Sequence, residues 1–388
     1  MAVAAMVLTT PKVAHSFSIT PTMQAHSVGL NAPKIPSGGS SSSPVNGASA
    51  IPDTTLNVAY KPLSISGDLG VNVPVACWFP VDQNALQGPT TEGTDTVGIL
   101  QQLSSYKHRI SIRRIAQLLA RIDWIPEFAN RNFDLQPASS SVADGESLPF
   151  PKQGPVVLLA HGYLGSRFDL SHLAENLAKQ GFICFAPEYP ESLAASFTPL
   201  EGLDRRKITD KLLDSIANDW NVKGSSFGMV GHSMGCGTAI ETGDETWARV
   251  CIAGFPRQRD GSPIPGNVLF LSSMNDGVVS LERLGGKQAI PSDFTMLDES
   301  TIREQTTGLL PSRAALIFDR PDAPNHISFL VESVGNAMID LLSPLLPAAQ
   351  AIGFPVLDFD RYKAAQDSKA TAEVVHPIVT AYLKQRMM

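Results

Sequence analysis

Two periodicities alternate along this chain from residue 155 onward. Short apolar runs at Pro155–Ala160, Gly181–Ala186, Ser226–Val230, Ala248–Ala253, Asn267–Ser272 and Ser312–Phe318 have the continuous hydrophobicity of strands buried on both faces. Between them, Leu170–Lys179 and Leu203–Asn218 carry apolar residues at helical spacing. Strands alternating with helices predict an α/β fold with a mostly parallel central sheet and helices on both faces. In such sheets the chemistry gathers at the carboxyl ends of the strands.

Upstream, Leu56–Tyr60 and Val73–Phe79 alternate as the strands of an opening hairpin. From Gly98 to about Phe133 the pattern turns helical: Ile110, Ile112, Ile115, Leu118, Leu119 and Ile122 recur, with Arg109, Arg113, Arg114 and Arg121 between them. This insert, about residues 98–133, is expected to pack as a surface helix; its basic amphipathic face also suits peripheral membrane contact. Gln136–Pro151 reads as a polar linker. Residues 329–360 are apolar and broken by proline, as in Leu341-Leu342-Ser343-Pro344-Leu345-Leu346-Pro347. That region can be a lid over a lipophilic substrate or ordinary core.

The chain has 388 residues, 43% hydrophobic and 17% charged, enough for one large domain over residues 53–388. A net charge of −7 implies no basic surface for nucleic acid. No uninterrupted apolar stretch reaches the length of a membrane span. Residues 1–52 differ in kind. They hold no acidic residue, are rich in Ser, Ala, Pro and Gly, and include the run Ser40–Ser43, so they cannot bury a core. Met1–Leu8 is a short apolar start, and Ala14-His15-Ser16-Phe17 resembles the Phe-containing boundary between signal and transit parts in plastid proteins of secondary-plastid algae. A plastid presequence is the leading expectation, with a secretory signal or a plain disordered tail as alternatives. Cys77, Cys184, Cys236 and Cys251 have no metal-ligand spacing and read as buried free thiols, with a disulfide at Cys77 left open.

The chemistry centres on Gly231-His232-Ser233-Met234-Gly235, preceded by an apolar run and followed by the small residues Cys236–Ile240. A serine on a tight strand-to-helix turn is strained and exposed, and the two glycines are needed because side chains there would collide with neighbouring elements. The helix behind it aims N–H groups and a positive dipole end at whatever the serine attacks. Ser233 is therefore the candidate nucleophile. It needs a base and a group to orient that base. In the α/β-hydrolase superfamily, which this serine turn resembles, the triad runs Ser, acid, His in chain order. His326 and His376 follow Ser233; His326, in a loop directly after the last strand, is preferred, and His376 is read as structural or capping at the start of the terminal helix. Asp276, on the Asn275-Asp276-Gly277 turn directly after a strand, is the preferred acid, ahead of Asp260, Asp319 and Asp322. The backbone N–H groups of Met234 and Tyr163 are the expected oxyanion donors. His161 and His232 are expected to brace their loops. No metal or cofactor is required.

His161-Gly162-Tyr163-Leu164-Gly165-Ser166, Gly231–Gly235, Asn275–Val279 and Pro324-Asn325-His326 together resemble the α/β-hydrolase superfamily. The insert before the first parallel strand, with Leu159–Phe168 and Leu177–Ile183, is similar to chlorophyllases and plasma-type platelet-activating-factor acetylhydrolases. Those families usually carry Gly-His-Ser-Phe-Gly-Gly or Gly-His-Ser-Arg-Gly-Gly, where this chain has Gly231-His232-Ser233-Met234-Gly235-Cys236. They place the acid after the strand that follows the elbow, where this chain has Phe255, so here the acid is expected one strand later. The resemblance implies a serine esterase acting on a lipophilic ester. Chlorophyllase is its sharpest form; phospholipid or galactolipid acyl hydrolase and generic carboxylesterase are alternatives. A non-catalytic ligand-binding protein on the same fold, or an acyltransferase, would be a different class.

Overall fold

A computed structural model describes residues 57–81, 106, 108–121, 124–125, 132–135, 142–146, 148–255, 263–342 and 365–388. The proposed presequence, most of the proline-broken segment after Leu342, and Asp260 lie outside the described residues.

The opening strands β1 (Asn57–Ile65) and β2 (Val73–Val81) form an antiparallel hairpin in continuous register from Asn57↔Val81 to Ile65↔Val73. A separate two-stranded ribbon follows, β3 (His108–Ser111) with β4 (Asn132–Leu135). The main sheet continues with β5 (Val142–Asp144), β6 (Gln153–Ala160), β7 (Ile183–Pro187), β8 (Lys223–His232), β9 (Ala248–Ile252), β10 (Val268–Ser273), β11 (Thr295–Leu297) and β12 (Arg313–Phe318). Its ten strands lie in the order β11-β12-β10-β9-β8-β6-β7-β2-β1-β5. Only the pairings of β2 with β1 and β7 are antiparallel; every other neighbouring pair is parallel. This is the α/β-hydrolase fold, with the hairpin at one side and the parallel crossovers filling the rest.

Both faces of the sheet are covered, which is why the strands read as unbroken apolar runs. Along β6 the alternation splits the side chains: Val157 and Leu159 join one core, Val156, Leu158 and Ala160 the other. The first core is closed by α2 (Ser171–Lys179), which buries Leu173, Ala174 and Leu177. The second is closed by α3 (Arg205–Asp214), through Ile208 and Leu212. Asp204 caps α3, accepting the Lys207 N–H at 2.8 Å. The short helix α4 (Gly235–Glu241) follows β8, and α5 (Glu332–Leu342) follows the His326 loop. The terminal helix α6 (Ser368–Met387) buries Val375, Ile378, Val379, Tyr382 and Leu383 beside α2.

Three sequence expectations change. The stretch expected to be helical across 98–133 contains a helix, α1 (Ile112–Ile115), extended by a π turn over Ala116–Ala120, but His108–Ser111 is strand. The β3–β4 register and a bridge from Ile110 to Ala194 supply hydrogen-bond partners that an isolated helical pattern does not anticipate. The polar linker contains β5, whose Val142 is fully buried and which pairs in parallel with β1. The terminal helix begins eight residues before His376, capped by Asp367, and runs through Pro377. His376 is thus mid-helix, with its ring 4.9 Å from that of His172. All four cysteines are buried and unpaired. Among the described residues no helix is long and apolar enough to cross a membrane.

Candidate active site

The chain moves outward from β6 to β7, then returns across β6 to β8. Strand order therefore reverses between β6 and β8, the position at the carboxyl ends of such sheets where ligand sites form. The two most distinctive motifs sit on those two loops: His161–Ser166 after β6, and the serine pentapeptide after β8.

Ser233 adopts φ +54°, a left-handed conformation that costs a non-glycine residue about 1–2 kcal/mol. The turn is held by the Ser233 N–H donating to the Ile252 carbonyl at 2.8 Å and the Cys236 N–H donating back to the Ser233 carbonyl at 3.0 Å. Gly231 and Gly235 permit it. A Cβ at Gly231 would overlap the Gly235 carbonyl, and one at Gly235 would overlap the Ala160 carbonyl on β6. Behind the turn, the fully buried Arg249 of β9 anchors α4. Its guanidinium donates to the carbonyls of Ala239, Thr242, Asp244 and Trp247, so the helix carrying the elbow is tied down at its far end.

Asp276 follows β10 directly and is completely buried. Its Oδ1 accepts the Val278 and Val279 N–H groups, both at 2.8 Å, and its Oδ2 meets His326 Nδ1 at 2.9 Å. His326, 7% exposed, lies in the loop after β12. Asn325 shapes that loop by accepting the Ile327 and Ser328 N–H groups at 2.9 and 3.0 Å. His232, next to Ser233, donates from Nε2 to the His326 carbonyl at 3.0 Å, and the two rings lie 4.8 Å apart. Burial, with the neighbouring His326, lowers the His232 pKa to about 3, which keeps this brace neutral. The structure thus brings Asp276 into direct contact with His326 and ties the serine turn to the histidine loop. Among the described residues, no hydrogen bond joins the Ser233 hydroxyl to the His326 imidazole.

The turn after β6 faces the serine: a Cβ on Gly162 would come within 2.9 Å of Ser233 Cβ. Among the described residues, neither the Tyr163 N–H nor the Met234 N–H is taken by a backbone carbonyl. His161 braces the turn. Its Nδ1 bonds the Gly162 carbonyl at 2.8 Å, and its Nε2 accepts the Tyr189 N–H at 2.9 Å. The Tyr163 hydroxyl donates to the Leu118 carbonyl at 2.6 Å, joining the turn to the insert. Ile110, Ile115 and Leu193 form a small apolar cluster there, with Leu118 and Leu164 packed on it.

The rival residues are engaged elsewhere. Asp319 is exposed and paired with Lys287, and exposed Asp322 lies 3.6 Å from Arg320. Phe255 packs edge-on against Phe270, at 6.0 Å between centroids. Arg114 does not present its charge outward: its guanidinium donates to the Pro190 carbonyl at 2.6 Å and the Ser192 carbonyl at 3.2 Å. The described residues contain no group of three or more His, Cys, Asp or Glu side chains placed to hold a metal. Sequence reasoning missed Arg205 and Arg249: Arg249 is satisfied by main-chain carbonyls alone, and the partners of Arg205, which are the His161 and Gly162 carbonyls, Glu191 and Thr238, come from three separate segments.

No family model matches the chain, and no curated protein does. Among solved structures, the chain is similar to a ferulic acid esterase from Streptomyces cinnamoneus at 16% identity, covering 87% of this chain and 92% of that one with a TM-score of 0.42. An α/β hydrolase from a Medee basin deep-sea metagenome library is similar at 12% identity, covering 85% and 99%, with a TM-score of 0.39. A dienelactone hydrolase-like promiscuous phosphotriesterase from metagenomic libraries is similar at 13% identity, covering 74% and 99%, with a TM-score of 0.36. The strand order of the ten-stranded sheet and the left-handed serine turn after β8 are those of the α/β-hydrolase fold.

Proposed function

We propose that this chain is a serine carboxylic-ester hydrolase in which Ser233 is the nucleophile, His326 the base and Asp276 the residue that orients the base. The observation that carries the reading is the 2.9 Å bond from His326 Nδ1 to a buried carboxylate, formed at the strand ends beside a serine held at φ +54°. With Nδ1–H donated to Asp276, the lone pair of His326 resides on Nε2. That nitrogen takes the Ser233 proton as Oγ attacks the ester carbonyl. The Tyr163 and Met234 N–H groups receive the oxyanion. The imidazolium then protonates the leaving alcohol. A water molecule, losing its proton to the same nitrogen, attacks the acyl-enzyme, and collapse of the second tetrahedral intermediate releases the acid and regenerates Ser233.

The substrate class we favour is a lipophilic ester, with a chlorophyll-type ester, cleaved to an acid and a long-chain alcohol, as its sharpest form. Two things support it: the likeness of the Leu159–Phe168 and Leu177–Ile183 motifs to chlorophyllases, and the apolar cluster on the insert beside the Tyr163 turn. A plastid address on residues 1–52 and peripheral contact with a membrane belong to the same proposal. A panel of chlorophyll, phospholipid, galactolipid and short p-nitrophenyl esters, with Ser233→Ala as control, tests it. The variant should fold normally and lose all turnover. Cleavage of short esters alone would remove the lipophilic class, and full activity in Ser233→Ala would remove the mechanism. A wild type that fails to label with a fluorophosphonate would be a binding protein, and transfer to an added alcohol in preference to water would make it an acyltransferase.

A further inference from the structure

The geometry points to Arg205 as a positioning residue that aims and polarises the Tyr163 N–H toward the developing oxyanion. The inference rests on the serine-hydrolase reading of Ser233. Arg205 opens α3 and is 6% exposed, yet its guanidinium does more than pair with an acid. Nη1 donates to the His161 carbonyl at 2.9 Å and to Thr238 Oγ1 at 3.3 Å, and Nη2 donates to the Gly162 carbonyl at 3.4 Å. Nε is held by Glu191 at 3.1 Å, and the guanidinium carbon lies 4.4 Å from the centre of the Tyr189 ring. One planar cation thus joins the turn after β6, the helix behind Ser233 and the loop after β7.

The Gly162 carbonyl and the Tyr163 N–H belong to one peptide unit. That unit is planar and trans, so its two polar groups point in opposite directions. The carbonyl is engaged by three donors: His161 Nδ1 at 2.8 Å, the Gly165 N–H at 3.3 Å and Arg205 Nη2 at 3.4 Å. Fixing the carbonyl inward fixes the N–H outward, over a turn that lies against Ser233. A charged donor on the carbonyl also draws electron density from the nitrogen, which strengthens the N–H as a donor. The neutral state of His161 fits this scheme, because burial, with Arg205 as the next cause, holds its pKa well below the ordinary histidine range. Neutral His161 accepts from Tyr189 on Nε2 and so carries its proton on Nδ1, facing Gly162.

The test compares Arg205→Lys and Arg205→Met with wild type on an ester and its thionoester, scored as kcat, KM and the oxygen-to-sulfur rate ratio. Sulfur is a weak acceptor, so backbone donors aimed at oxygen favour the ester, and the ratio reports their aim. Removing one oxyanion donor outright costs about a hundred- to a thousand-fold in kcat. Arg205→Met should lose roughly ten- to a hundred-fold in kcat with KM within about twofold, because a misaimed donor still contributes. Its oxygen-to-sulfur ratio should fall by about the same factor. Arg205→Lys keeps the charge without the fork and should fall between the two, which keeps the test informative if the Met variant does not fold. A loss of kcat with the ratio unchanged, in whichever variant folds, would overturn the inference, since a merely structural defect slows both substrates alike. Wild type lacking Ser233-dependent turnover would overturn the hydrolase reading itself, and this inference with it.

Discussion

Replacing Asp276 with Asn removes one charge and almost no volume, and the structure dictates which way the new amide must face. Oδ1 accepts two backbone N–H groups, from Val278 and Val279, at 2.8 Å each. Turning the amide nitrogen toward them would leave both half-buried donors facing a third donor without an acceptor, at about 1 kcal/mol or more apiece. The Asn oxygen therefore stays at the Oδ1 position and its NH2 points at His326 Nδ1. A donor there requires Nδ1 to carry the lone pair, which moves the ring proton to Nε2, the nitrogen that must accept from Ser233. The wrong tautomer on an otherwise intact site costs about ten-thousand-fold in kcat where the effect is known. We expect a loss of about a thousand- to ten-thousand-fold in kcat for Asp276→Asn, with KM and the thermal midpoint little changed. The assay is turnover of a short p-nitrophenyl ester near neutral pH, beside circular dichroism melting. A variant within tenfold of wild type would refute the argument, because the tautomer would then not be controlled by this carboxylate.

Stored backbone strain gives a second expectation. Ser233→Gly should be more stable than Ser233→Ala by about 0.5–1 kcal/mol in urea unfolding, because glycine adopts φ +54° freely and alanine does not; equal midpoints would mean that the turn is unstrained. A third concerns pH. Asp169 is buried and accepts the Ser166 N–H and hydroxyl on Oδ1, both at 3.0 Å. Burial pushes its pKa from the ordinary 3.8 up to about 8, aided by the nearby Glu188 charge and opposed by the Ser166 bonds. Across that window the folded protein holds a proton that the unfolded chain has released, so this group's contribution falls as pH rises from about 4 to about 8. Asp169→Asn keeps the Oδ1 acceptor and cannot ionise. Its urea midpoint should gain on wild type between pH 5 and pH 8.5, and a gap independent of pH would dismiss the effect.

Much of the fold was legible because its signals are local. Strands covered on both faces must be continuously apolar, and β6 through β10 could be placed from that property to within a few residues. The serine turn was legible for the same kind of reason: its glycines, small following residues and preceding strand are all within one short stretch. Elements that depend on distant partners were not. β5 is three residues long and exists because β1 offers it a parallel edge, while β3 needs β4 and Ala194 to outweigh a helical repeat of isoleucines. Terminal helix α6 starts earlier than Pro377 suggests, since Asp367 supplies a cap and the sheet a surface on which to bury Val375 and Ile378.

Local patterning sufficed for the class of sheet, the serine turn and the short set of acids and histidines that could serve it. Which of these meet follows from how the strands are ordered in the sheet. Asp276 and His326 are fifty residues apart and touch because β10 and β12 are neighbours in the sheet. Arg249 was silent in the sequence because a guanidinium satisfied by carbonyls has no complementary side chain to betray it, and Arg205 because its carbonyls, Glu191 and Thr238 lie on three separate segments. Backbone oxygens are present at every position, so their convergence on one cation arises only when the chain has folded, and at Arg205 it also requires the turn after β6 to meet the start of α3.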